Sequence, residues 1–116
     1  MSCSQDENRF DIKSSNEEIK NKVLLLTPLG SDWAKVMDYC KSENIRCETD
    51  ALKGYRYEPD DYSKEKSKIV GVAHIKYHIG SYKNTPFTNL SKTIYWGFDN
   101  NKILIHVWVR QTIDAP

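Results

Sequence analysis

Apolar positions follow a helical period in the first half of the chain and an alternating period in the second. Ser15 with Glu18 three residues later forms a capping box, in which each side chain satisfies a backbone N–H left unpaired at a helix start. Ile19, Val23 and Leu26 then recur at helical spacing, and Pro28 with Gly30 ends the element. Ser31 or Asp32 can cap a second helix, whose Trp33, Val36, Met37 and Cys40 fall at i, i+3, i+4 and i+7 and make one apolar stripe. Lys35, Asp38, Lys41 and Ser42 take the solvated side. Asn44 suits a left-handed terminator, and Ile45 can fold back on the last turn. The two elements predict a helical hairpin.

From Arg46 to Lys68 polar residues and turn formers dominate, which predicts a short strand near Cys47 to Lys53 and then a long loop carrying Tyr55, Tyr57, Glu58, Asp60, Asp61 and Tyr62. Ser63 to Lys68 reads as solvated. Ile69 to Ile79 alternates, with Ile69, Ala73, Ile75, Tyr77 and Ile79 expected inward and Val70, Val72, His74, Lys76 and His78 outward. Gly80 to Ser91 is punctuated by Gly, Asn and Pro, so a loop is expected with Tyr82 and Phe87 tucked beneath it.

The last signal is tertiary. Lys92 to Phe98 and Ile103 to Arg110 read as strands joined at Asp99-Asn100-Asn101-Lys102, where Asn tolerates the positive φ of a tight hairpin. A two-residue loop at Asn100 and Asn101 predicts Phe98 opposite Ile103, Trp96 opposite Ile105 and Ile94 opposite Val107, all on one apolar face. Tyr95 then meets His106 and Thr93 meets Trp108 on the reverse. Helix, helix, then strands predicts an α+β fold, an N-terminal helical hairpin packed on one face of a three- to four-stranded antiparallel sheet. Residues 1–13 are polar apart from Phe10 and Ile12 and read as a flexible arm, leaving 14–116 as a single domain of ordinary size.

Composition narrows the function by exclusion. Lys+Arg 17 against Asp+Glu 16 gives no basic footprint, so a nucleic-acid partner is not expected. The longest apolar run, Val23 to Leu26, is far below the roughly 20 residues of a membrane-spanning helix. Cys3, Cys40 and Cys47 cannot complete a disulfide framework and are expected to be reduced. Read from Met1 the chain is expected to be cytoplasmic; if a precursor were cut before Cys3, which a short polar tail follows, it would be periplasmic or lipid-anchored.

Candidate chemistry is sparse. His74 and His78 lie four apart, but in a strand that interval is roughly 13 Å, too far for one ion to bridge. No metal site is expected. Cys40 sits on a buried stripe; Cys47 follows Arg46, and either it or His106 could serve a small enzyme or ligand-binding domain in a pocket between loop and sheet. No Gly-rich phosphate loop, Ser nucleophile elbow or carboxylate pair stands out. The stronger pattern is aromatic: Tyr95 and Trp108 with His74, His78 and His106 line an open sheet face, while Tyr55, Tyr57 and Tyr62 accompany Asp60 and Asp61 on the loop. Exposed Tyr and Trp beside charges have the composition of an interface anchor set; the alternative is that Trp108 and Tyr95 pack on each other or are covered by the long loop. The expected function is therefore a non-catalytic protein-interaction module that needs no cofactor and binds another protein, with a homodimer through the open face as a further option.

Two stretches also carry a likeness. Leu26-Thr27-Pro28-Leu29-Gly30-Ser31 leading into Val36, and Tyr95-Trp96-Gly97-Phe98-Asp99 through Leu104, Val107 and Val109, resemble small two-layer bacterial proteins of the outer-membrane assembly lipoprotein (BamE-like) and β-lactamase-inhibitor-protein class. In that class a Gly-Ser or Gly-Thr turn opens a short helix and a late hairpin reads Phe-Asp, turn, Leu. The likeness covers about half the chain, and this sequence lacks the lipobox and the inhibitor's paired cysteines. It implies a non-catalytic protein, of the inhibitor or immunity kind, that presents a sheet face or loop to another protein.

Overall fold

The computed structural model describes residues 10–59 and 65–114. Two helices come first, α1 (Asn16–Leu26) and α2 (Trp33–Ser42), followed by β1 (Glu48–Asp50), β2 (Tyr55–Tyr57), β3 (Lys68–Val70), β4 (Ala73–Thr85), β5 (Thr88–Phe98) and β6 (Leu104–Asp114). β1, β4, β5 and β6 form one antiparallel sheet in the order β1-β4-β5-β6, and β2 pairs with β3 in a separate antiparallel ribbon. The chain is an α+β protein.

Short-range chemistry sets the helix ends. The Glu18 N–H donates to Ser15 Oγ at 3.1 Å, and the Ser15 hydroxyl donates on to Glu18 Oε1. Asp32 Oδ1 accepts the Lys35 N–H at 2.8 Å and so caps α2. At the far end of α2, Asn44 takes φ 53°. Its N–H donates to the Lys41 carbonyl and that of Ile45 to the Cys40 carbonyl, the paired bonds of a Schellman motif. Ile19, Val23, Val36 and Cys40 from the helices share one core with Ala73, Ile75, Ile94, Trp96, Phe98, Leu104, Val107 and Val109.

The Cys40 and Cys47 sulfurs are bonded to each other, which corrects the expectation of reduced cysteines. The Schellman turn folds the chain back after Cys40, and the Cα atoms lie 6.3 Å apart, within disulfide reach. Cys3 lies outside the described residues.

The β5–β6 connection differs from the expected two-residue turn. Five residues, 99–103, separate the strands, and Asp99 Oδ1 accepts the N–H groups of Asn101 and Ile103 at 2.8 and 3.0 Å. The positive φ falls on Lys102, at 61°, not on an asparagine. The longer loop moves the register by one residue at Phe98, which faces Leu104, and a bulge beside Gly97 makes the shift two residues beyond it, where Trp96 faces Val107 and Ile94 faces Val109. Leu104 takes the place expected of Ile103 and Val107 that expected of Ile105, which is 45% exposed instead of inward. Tyr95 is opposite Trp108 in place of His106, and Thr93 is opposite Arg110 in place of Trp108.

Two expected loops are partly strand. Tyr55–Tyr57 pairs with Lys68–Val70, so Tyr55 and Tyr57 of the expected 54–68 loop lie in a ribbon. Ile69 belongs to that ribbon and is 60% exposed rather than inward, because Gly71 at φ 69° breaks the chain before β4. Beyond the break Ala73 and Ile75 are buried, and Tyr77 and Ile79 partly so, as the odd-in pattern requires. The region after Gly80 is also strand: β4 and β5 run on to a turn at Pro86-Phe87, where Phe87 is 74% exposed instead of tucked under. Gly80 is accommodated at a register break at φ 147°.

Candidate interaction site

The sheet face opposite the core carries the outward residues of β4, β5 and β6, and the β2–β3 ribbon lies over part of it. Tyr55 is the pivot. It is 5% exposed, and its ring centroid lies 4.9 Å from Tyr95, 5.9 Å from Trp108, 5.9 Å from His106 and 6.1 Å from His74. Tyr95 and Trp108, opposite each other in the register, stack at 5.3 Å and 28°. Tyr57 sits edge-on to both Trp108 and His106. Arg110 extends its guanidinium to 6.0 Å from the Trp108 ring. Of the two expected arrangements, an open aromatic face and one covered by the long loop, the second holds at the centre, which an aromatic from the ribbon fills.

Gly97 is the reason the ribbon can settle so close. A Cβ there would come within 2.8 Å of Val70 Cγ1 and 2.9 Å of Tyr55 Cε1, closer than such carbons can sit, so any side chain at this β5 position would push the ribbon off the sheet.

Electrostatics follow the burial. The Tyr55 hydroxyl and His106 Nδ1 are hydrogen-bonded at 2.5 Å. Burial raises the Tyr55 phenol far above its ordinary range, with Tyr57 and Tyr95 adding to the effect. Burial also lowers His106, as do the positive charges of Lys20 and Lys68 against a smaller opposing effect of Glu65. Both shifts favour the neutral forms of the pair. His74 Nδ1 donates to the Lys53 carbonyl at 2.7 Å, tying the β1–β2 connection to β4.

Beside this cluster the face stays open. A cleft of about 610 Å³ runs between β1 and the ribbon, with Asp50, Lys53, Tyr55, Arg56, His74 and Tyr95 among its walls. A second, of about 360 Å³, continues from it past Arg46, Tyr77, His78 and Thr93. Glu48, Lys76 and Tyr95 border both, and Lys76 pairs with Glu48 at 3.4 Å on the divide. Arg46, Lys53 and Arg56 form no ion pair among the described residues.

Of the residues expected from sequence, Tyr55, Tyr57, His74, Tyr95, His106 and Trp108 come together. His78 stands apart in the second cleft, with Nδ1 3.2 Å from Thr93 Oγ1. Asp60, Asp61 and Tyr62 lie outside the described residues. Cys47 has no thiol to offer, since it is bonded to Cys40. Sequence reasoning missed Arg46, Lys53, Arg56 and Gly97; only the register of β1 and the ribbon gathers them, and no local spacing announces it. Among the described residues no group of three His, Cys, Asp or Glu side chains is placed to hold a metal ion, and no helix is long and apolar enough to cross a membrane. Family models, curated proteins and solved structures were all compared with this chain, and none of them matches.

Proposed function

We propose that the chain is a non-catalytic protein-interaction module, of the inhibitor or immunity kind, that receives an acidic segment of a partner protein in the twin cleft on its outer sheet face. The observation that carries this reading is the set of three cations, Arg46, Lys53 and Arg56, that form no ion pair among the described residues and stand around aromatic walls on one continuous open groove. Aromatic walls supply area to bury, while unpaired charge selects the partner and speeds its approach. Side chains from both helices meet in one core on the inner side of the sheet, which supports reading the helical hairpin as its cover and leaves the outer side for a partner. The BamE-like and β-lactamase-inhibitor-protein likeness belongs to the same proposal: Gly30-Ser31 leads into α2, and Phe98-Asp99 leads through the turn to Leu104. The bonded Cys40 and Cys47 favour an oxidising compartment for it.

The rival reading, a small enzyme or ligand-binding domain using His106 or Cys47, loses the thiol to the disulfide and has His106 Nδ1 engaged by Tyr55. The test is site-specific photocrosslinking in the native host, with the photoreactive residue at Arg56 in the groove or at Lys41 on the outer side of α2. One protein of defined mass should be captured from Arg56, competed away by excess wild-type chain and absent from Lys41. Equal capture at both positions, or none from the groove, overturns the proposal.

A further inference from the structure

β4 and β5 run on past the core. Between Ser81 and Asn89 no described side chain is buried, and the hairpin ends in a two-residue turn, since Thr85 pairs with Thr88 across Pro86-Phe87. Two-residue hairpin turns favour positive φ at their central positions, which suits Gly or Asn and matches the twist of the strands. The ring of Pro86 forbids this at the first position, and the φ of Phe87 at the second is not positive either. Side chains hold the turn instead: Thr85 Oγ1 lies 2.7 Å from Thr88 Oγ1 and accepts the Phe87 N–H at 3.2 Å. An Asn-Gly pair would serve the hairpin better, so the fold by itself does not require Pro-Phe here. What the pair accomplishes is to hold one large aromatic side chain, 74% exposed, at the tip of a projecting hairpin.

We infer that Phe87 is an anchor that enters an apolar pocket of the same partner protein whose acidic segment lies in the twin cleft. This rests on the reading of the chain as a protein-interaction module and adds a second, apolar contact to it. The surroundings of the ring select a protein pocket. Thr85, Thr88 and Asn89 beside it are neutral hydrogen-bonding groups, a polar rim around one apolar centre with a large area to bury. A lipid surface would instead call on several apolar side chains together with a basic flank. Lys83 is the one charged residue from Ser81 to Ser91. Among the described residues Ile113, opposite Leu90, is the only other large hydrophobic exposed at this end of the sheet.

Reach agrees with a shared partner. His78, in the second cleft, and Thr85 both lie on β4, so roughly 20 Å of strand separates the groove from the tip. A partner face of about 800 Å² spans that distance. The groove then sorts partners by charge, and the tip contributes apolar area that charge alone does not supply.

The experiment places a photoreactive residue at Asn89, beside the tip, or at Arg56, in the groove, and crosslinks in the native host. Both positions should capture one protein of the same mass. Excess wild-type chain should compete with that capture, while Phe87→Ala chain should need about tenfold or more of the concentration to do so. Phe87→Leu, which keeps an apolar side chain, should fall between the two. Phe87→Ala should leave the urea midpoint where it is, because the ring is mostly outside its own fold. Competition by Phe87→Ala equal to that of the wild type, a lowered midpoint, or different proteins from the two positions would overturn the anchor and leave the groove standing. Capture from Asn89 alone, with the same dependence on Phe87, would remove the groove and keep the anchor. Capture from neither position would overturn both. Binding to phosphatidylglycerol vesicles that Phe87→Ala abolishes would assign the ring to a lipid surface and overturn the inference as well.

Discussion

The indole N–H of Trp96 donates to Thr27 Oγ1 at 3.0 Å, and both residues are fully buried. Thr27 passes the bond on, its hydroxyl donating to the Val23 carbonyl at 2.8 Å. One threonine therefore ends α1 and fixes the orientation of the largest core side chain. Thr27→Val keeps the volume but leaves a buried indole N–H without an acceptor, which should cost about 1–3 kcal/mol. Urea unfolding of Thr27→Val, Trp96→Phe and the double variant checks this: the double should cost less than the sum of the singles, and strict additivity would deny the coupling.

The Gly97 contact predicts a separable defect. Gly97→Ala should displace the β2–β3 ribbon at a cost of about 1–3 kcal/mol while the main core stays packed. Near-ultraviolet circular dichroism should lose the signal of the Tyr55, Tyr95 and Trp108 stack while the far-ultraviolet spectrum is retained. An unchanged aromatic spectrum would show that the ribbon is not seated by the absence of a side chain at this position.

Much of this construction is legible in sequence where its determinants are local. Ser15 with Glu18, Asp32, and Asn44 with Ile45 each act within one helical turn, and the structure uses all of them. The alternation through Ile94, Trp96 and Phe98 likewise fixes which side of β5 is buried. The β6 register is not legible in the same way. Ile103, Leu104 and Ile105 are consecutive and all apolar, so a period of two cannot choose between them. The choice is made by Asp99, whose carboxylate closes a longer loop. The ribbon escapes notice because three-residue strands show no period and because Gly97, which lets it dock, lies forty residues away from Tyr57. The disulfide escapes notice because an odd cysteine count argues against pairing until the turn after α2 brings the two together.

That cross-link makes a direct prediction. It closes a loop of eight residues, Cys40 to Cys47, and the chain-entropy relation assigns a loop of that size roughly 2–3 kcal/mol. Cys40→Ala with Cys47→Ala should lower stability by about that amount, as should reductant on the wild type and not on the variant. Thiol titration of the denatured chain should find two more reactive groups after reduction than before. Equal titration with and without reductant would mean that the bond is absent.

The neutral Tyr55–His106 pair predicts a stability window bounded on both sides. His106 binds its proton less readily in the folded chain than in the unfolded one, so the unfolded state takes up more protons as pH falls below about 6.5, the ordinary histidine value. Stability should therefore drop on acidification through that point, and less so in His106→Gln. Tyr55 is raised, so the folded state holds its phenolic proton after the unfolded chain has released it. Stability should fall again as pH rises above about 10, the ordinary tyrosine value, and Tyr55→Phe should remove part of that alkaline loss. Denaturant midpoints measured across the pH range for wild type and the two variants decide the matter: curves that run parallel in all three proteins would place the pH dependence on other groups.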